Sequence, residues 1–134
     1  MISLDLARRL KESGVTEPWR PSAGDRFVVP DRDMDQQVFA VSDMVVEVYD
    51  LPTGRLFAFN GTTEWALDAI EQRDVIWLPR EDQLRGLLGA AFVALQATPG
   101  GFIVVVGRDG AEERHIDLEA ENAYARALLS VGAG

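Results

Sequence analysis

Apolar residues recur along this chain in two rhythms, a helical spacing at both ends and a two-residue alternation between. Leu6, Ala7 and Leu10 fall on one face after Ser3, whose hydroxyl can cap a helix, and Gly14 follows as a stop. The spacing predicts a helix over Leu4 to Ser13. "VTEPWRPSAGD" then reads as an extended connector, because its two prolines disfavour helix in the residues before them. Trp19 anchors that connector, and it is also the exposed aromatic that could hold a partner. "RFVVP", "QVFAV" and "MVVEVY" read as strands, with Ser42 and Asp43 as a tight turn between the last two. "LPTG" fits a type I turn leading into a fourth strand, "RLFAF". Strands joined by such short turns must be antiparallel, since a parallel crossover needs about a dozen residues or more.

Asn60 and Gly61 can end that strand, and Thr62 can cap a helix that places Glu64 near the positive end of its dipole. Trp65, Ala66, Ala69 and Ile70 supply its apolar stripe, so this turn has a complete structural role. Trp65 and Trp77 flank the helix and are expected in the core. "VIW" reads as a brief strand or a link, and Pro79 opens a further helix with Leu84, Leu87 and Leu88 on one face. Beyond it, "AFVAL" and "FIVVV" around "TPGG" read as a hairpin rather than a helical continuation, since Gly86 and Gly89 weaken a longer helix. "AEERHI" follows the tight turn "GRDG" as a third strand. The last helix is expected from Leu118 to Val131, capped by Asp117, with Leu118, Tyr124, Ala125, Leu128 and Leu129 on its buried side. The fold class expected is α+β, a single domain over 1–134 with antiparallel sheet packed with about four helices.

The length of 134 residues suits one core that hides roughly two-thirds of the unfolded surface. A hydrophobic fraction of 47% with 26% charged residues is the balance of a globular chain rather than a disordered one. Thirteen basic against twenty-two acidic residues leave a net charge of -9, which repels a polyphosphate backbone. Nucleic acid is therefore not an expected partner, whereas a basic protein is compatible. With no cysteine, disulfides, thiolate nucleophiles and thiolate-held metals are excluded. The N-terminal residues lack the apolar stretch of a secretory signal, and no apolar run approaches the ~20 residues that cross a bilayer. The expected location is the cytoplasm, with no membrane association.

Few residues suggest chemistry. Asp31, Asp33 and Asp35 begin like a calcium loop, but Gln36 stands where the bend needs glycine and Ser42 where a bidentate glutamate should close the cage. His115 is the sole histidine, so a histidine-pair metal site is absent and any Ser-His-Asp system would have to use it as base. A half-exposed strand histidine is the simpler reading. Phosphate-cradling glycine motifs are absent. Glu64, Asp68 and Glu71 lie close enough on a helix to imagine paired carboxylates, although exposed helical acids are the ordinary case. No metal and no cofactor is implied.

"GDRFVVPDRDMD", "VFAVSDMVVEVYDLPTGR", "FNGTTEWALDAIEQ" and "WLPREDQLRGLLG" together resemble a family of small uncharacterised bacterial proteins, prominent in actinobacteria. Some members carry the label "pilus assembly protein CpaE". The resemblance covers most of the chain and implies no activity or site residue. The function expected is that of a non-enzymatic macromolecular-interaction domain. Its partner-binding residues would be Trp19 and Arg20 in the connector, with Asp31, Asp33 and Asp35 in the acidic loop and the neighbouring sheet edges. Two alternatives stand beside it. One is a small-ligand binder or carboxylate enzyme with a pocket near Asn60 to Glu64; the other is a structural homodimer built on a free sheet edge.

Overall fold

The computed structural model describes residues 1–30, 34–41, 45–52, 54–60 and 69–134. It is an α+β chain in which every strand pair with a described register is antiparallel. The chain divides into two compact units, Met1–Pro18 with Leu78–Gly134, and Trp19–Trp77 between them.

In the first unit, helix α1 spans Leu4–Ser13. The Ser3 hydroxyl accepts the Leu6 amide, and Gly14 closes the helix at φ 84°, a left-handed conformation that a side chain would strain. Helix α2, Glu81–Leu88, starts two residues beyond Pro79, where the Arg80 amide donates to the Gln83 side chain at 2.9 Å. A 3-10 turn at Gly89–Ala91 leads into the hairpin of β7 (Phe92–Thr98) and β8 (Gly101–Arg108), and β9 (Ala111–Asp117) completes a sheet of order β7-β8-β9.

Helix α3, Ala120–Val131, lies over β8 and β9 and against α1 and α2. Tyr124 and Leu128 from α3, Leu10 from α1, Leu84 and Leu88 from α2, and Val104 and Val106 from β8 are fully buried. Each such side chain contributes about 1.5–3 kcal/mol through loss of apolar surface to water. Tyr124 stacks on Phe92 with ring centroids 5.8 Å apart, and the Arg85 guanidinium sits 4.2 Å above the other ring.

The expected start of the last helix is displaced. Asp117 ends β9, and its carboxylate accepts the Glu119 amide at 3.1 Å, so the chain turns before α3 begins at Ala120. Leu118, expected on the buried side, is instead 77% exposed.

The second unit carries two sheets. In one, β1 (Arg26–Val29) pairs with β2 (Met34–Ala40), and the order β2-β1-β6 brings in β6, Ile76–Leu78. In the other, the order is β3-β4-β5, with β3 at Val45–Leu51, β4 at Gly54–Asn60 and β5 at Ala69–Glu71. The β3–β4 register closes at Leu51 opposite Gly54, which places the "LPTG" hairpin where the turn residues predict it.

The helix expected after Thr62 falls largely on 61–68, outside the described residues. Its final part is not helical. Ala69, Ile70 and Glu71 form β5, opposite Ala58, Phe57 and Leu56 of β4. Pairing with an open strand edge outweighs a helical spacing that extends over so few residues. Phe27 and Phe39 face each other across β1 and β2 and stack at 5.5 Å.

Candidate interaction surfaces

The connector is built by one carboxylate. Gly24 at φ 90° lets the chain fold back so that the Asp25 amide donates to the Ser22 carbonyl at 3.0 Å, and the Asp25 side chain turns inward. Its Oδ2 accepts Trp19 Nε1 at 2.9 Å, the Ser22 amide at 3.1 Å and the Ser22 hydroxyl at 3.3 Å. Asp25 is 1% exposed, so these bonds replace the water it gives up. The backbone of Val41 fastens the loop from the other side, donating to the Asp25 carbonyl at 2.8 Å and accepting from Gly24 at 2.7 Å.

Trp19 is therefore not an exposed anchor. Its ring lies 5.3 Å from that of Trp77 with planes 6° apart, and only 8% of the residue reaches solvent. The prolines on either side set an extended backbone, but the indole N–H needs an acceptor, and Asp25 offers one only inside.

Arg20 points out. Its guanidinium lies 3.6 Å from Asp50, which also accepts Arg55 Nε at 3.0 Å. The Arg55 hydrogen bond, with the charges of Arg55 and Arg20, holds the Asp50 carboxyl below its usual range. All three lie at the surface, where such an ion group adds little stability. Of the acidic loop, Asp31 and Asp33 lie outside the described residues, and Asp35 is placed only as backbone within β2. Gly61 to Glu64 of the proposed pocket likewise lie outside the described residues. The structure thus brings together Trp19 and Arg20 as chain neighbours whose side chains point to different places.

A second cluster lies between β9 and α3. Alternation along β9 turns Glu113, His115 and Asp117 toward the helix, on the same face as Val104 and Val106 of β8. Ser130 Oγ donates to Glu113 Oε2 at 2.8 Å, and His115 Nε2 lies 3.2 Å from the same oxygen. Arg108 donates to the Ser130 carbonyl at 3.0 Å. The Ser130 bond first, and then His115, hold the Glu113 carboxyl below its usual range. At Asp117, partial burial raises the pKa, but the Glu119 amide, Arg126 Nε at 3.0 Å and Asn122 outweigh it, and the net direction is down.

These residue types could suggest hydrolysis, but the order is wrong. In a nucleophilic triad the imidazole stands between hydroxyl and carboxylate and takes the hydroxyl proton. Here the carboxylate stands between Ser130 and His115. A carboxylate with a lowered pKa is moreover a weak base for a serine hydroxyl. The cluster fastens the edge strand to its helix. Among the described residues no group of three histidine, aspartate or glutamate side chains could hold a metal ion. No helix among them is long and apolar enough to cross a membrane.

The opposite face of the same sheet was missed by sequence reasoning. Because Glu113, His115 and Asp117 turn inward, β9 presents Ile116 outward at 60% exposure, beside the exposed Glu112 and Arg114 and with Leu118 just beyond it. Ile103 of β8 lies directly opposite Ile116 and is half-buried. Arg114 Nη1 donates across the central strand to Gln96 Oε1 at 3.4 Å, over Val105. Val93, beside Gly107, adds another exposed apolar side chain at 51%. The signal was present in "EERHID", where the one apolar residue has the opposite parity to Glu113, His115 and Asp117. It became readable only once the helix was known to contact the polar face.

Compared with protein-family models, curated proteins and solved structures, the chain matches none.

Proposed function

We propose that this chain is a non-enzymatic interaction domain that binds another protein through the outer face of the β7-β8-β9 sheet. The supporting observation is the reversed alternation of β9. A strand covered on one side by a helix ordinarily turns apolar residues in and polar ones out, yet here Glu113, His115 and Asp117 turn in and Ile116 turns out. Leu118 and Ile103 extend the apolar strip, with Glu112 and Arg114 as exposed polar neighbours.

The partner class follows from charge. A net charge of -9 favours a protein whose apolar contact is rimmed by basic residues. The contact moves from the connector, where Trp19 is consumed in packing, to the sheet. The likeness to the small actinobacterial family adds no residue or reaction to this reading.

The test is affinity capture from the native cell extract with wild type and with an Ile116→Asp, Leu118→Asp variant, each quantified by mass spectrometry. A protein held by wild type and lost by a folded variant supports the proposal. Capture unaffected by the substitutions, or no specific protein on wild type, removes it.

A further inference from the structure

The two edges of the β7-β8-β9 sheet differ in how they are guarded. Of the residues in β9, Glu112, Glu113, Arg114, His115 and Asp117 are charged or titratable, a common protection of an edge against pairing with another chain. β7 reads "FVALQAT" and contains no charged residue. Among the described residues nothing but β8 bonds to its backbone. Among the described residues its one evident guard is the irregular register between Phe92 and Ala94, which leaves Ala94 to Thr98 regular and paired there with β8 alone. Helix α3 lies over β8 and β9 and reaches β7 at Phe92, so that Leu95 is half-buried while Gln96 and Ala97 are exposed.

We propose that the edge of β7 pairs with the same edge of a second copy of this chain, joining two three-stranded sheets into one of six about a two-fold axis. The occupant follows from the side chains. In an antiparallel pairing with Gln96 on the axis, Leu95 of each copy faces Ala97 of the other and Ala94 faces Thr98, so no charged residue of the strand meets its copy. The two Gln96 amides are self-complementary across the axis, since each oxygen keeps a second lone pair beside the one that accepts Arg114. β9 lacks this property. Setting Glu113, Arg114 or His115 on its axis brings that residue against its own copy, and setting Glu112 opposite Arg114 requires Glu113 on the axis. The net charge of -9 on each copy opposes association at long range. Salt screens that repulsion and leaves the uncharged edge untouched, so the pairing strengthens as salt is added.

The edge pairing does not use Ile116 or Leu118, although Gln96 bonds Arg114 on the same face, and the test keeps the two readings apart. Sedimentation velocity on wild type at up to about 100 µM, a range in which weak pairing is measurable, is expected to show twice the chain mass, with the dimer fraction rising with salt. Gln96→Lys, an exposed position, is expected to be monomeric with an unchanged melting temperature and circular dichroism. An equimolar mixture of Gln96→Lys and Gln96→Glu is expected to restore the dimer, because opposite charges then meet on the axis. Ile116→Asp is expected to remain dimeric. A monomeric wild type over the whole range, a Gln96→Lys variant as dimeric as wild type, or loss of the dimer in Ile116→Asp would overturn the proposal.

Discussion

Trp19 Nε1 donates to Asp25 Oδ2 at 2.9 Å, and this one bond turns a proline-flanked connector inward and seats its indole against Trp77. The same carboxylate oxygen also serves the amide and hydroxyl of Ser22. Removing it takes this acceptor from the buried Trp19 indole N–H, which costs about 1–3 kcal/mol, and releases the exposed Ser22 from the turn. Asp25→Ala is therefore expected to destabilise the chain by about 3 kcal/mol, read from chemical denaturation. Asp25→Asn keeps an acceptor oxygen and is expected to cost about half as much. Equal stability of Asp25→Ala and wild type would show that the carboxylate does not hold the connector.

Tyr124 presents the opposite case. Its ring is fully buried against Phe92, yet its hydroxyl has no hydrogen-bond partner among the described residues. Burial, the largest influence on the phenol, pushes its pKa up. Removing an unpaired buried polar atom relieves a desolvation cost, so Tyr124→Phe is expected to be neutral or to stabilise by about 1 kcal/mol. Tyr124→Ala empties the core at that point and is expected to cost about 3–5 kcal/mol. Thermal denaturation of the pair distinguishes the ring from its hydroxyl.

Asp50, Glu113 and Asp117 all have carboxyls held below their ordinary range. A carboxylate with a lower pKa folded than unfolded binds fewer protons in the folded state. Its stabilisation is complete above the unfolded value, about 4, and is lost as pH falls through the folded value. Stability is thus expected to decline below pH ~4. Glu113→Gln is expected to lower stability at neutral pH and to make the acid decline shallower, measured by urea denaturation at successive pH values. An unchanged acid limb would mean that the bonds from Ser130 and His115 to Glu113 contribute nothing.

Local signals made most of the fold readable. Ser3 and Gly14 bracket α1 at the residues expected, and "TPGG" and "GRDG" fix the hairpins of the third sheet. These cues act over a few residues, so no knowledge of distant packing is needed. Leu118 departs from expectation because an apolar residue next to a helix need not belong to its buried face. Asp117, however, spends its carboxylate on the Glu119 amide, and the chain turns before the helix starts. Trp19 departs from expectation for a related reason, since Trp77, the ring it stacks on once Asp25 has turned it inward, is far along the chain. The exposed apolar strip was hidden likewise: whether Ile116 or His115 faces solvent depends on which side of β9 the helix covers. Alternation alone leaves that undecided.

Gly101 lies where β8 meets the end of β9. Its φ is 141°, and a Cβ there would run into the Asp117 carbonyl oxygen and lie 2.9 Å from Leu118 Cα. Backbone cannot yield as a flexible side chain can, so the clash adds to the cost of an unfavourable conformation. Gly110, in the neighbouring turn at φ 81°, has open space around the same added atom. Gly110→Ala is thus expected to cost about 1 kcal/mol, for conformation alone, and Gly101→Ala about 3 kcal/mol or more. The difference between them isolates the close approach of β8 to the turn that carries Leu118. Amide hydrogen exchange gives a second readout. In Gly101→Ala the amides of Ile116, Asp117 and Leu118 are expected to lose protection before those near Gly110 do, because the strain is delivered at that end of the strand pair. Equal costs for the two substitutions would mean that the Asp117 turn moves freely aside, and with it Leu118.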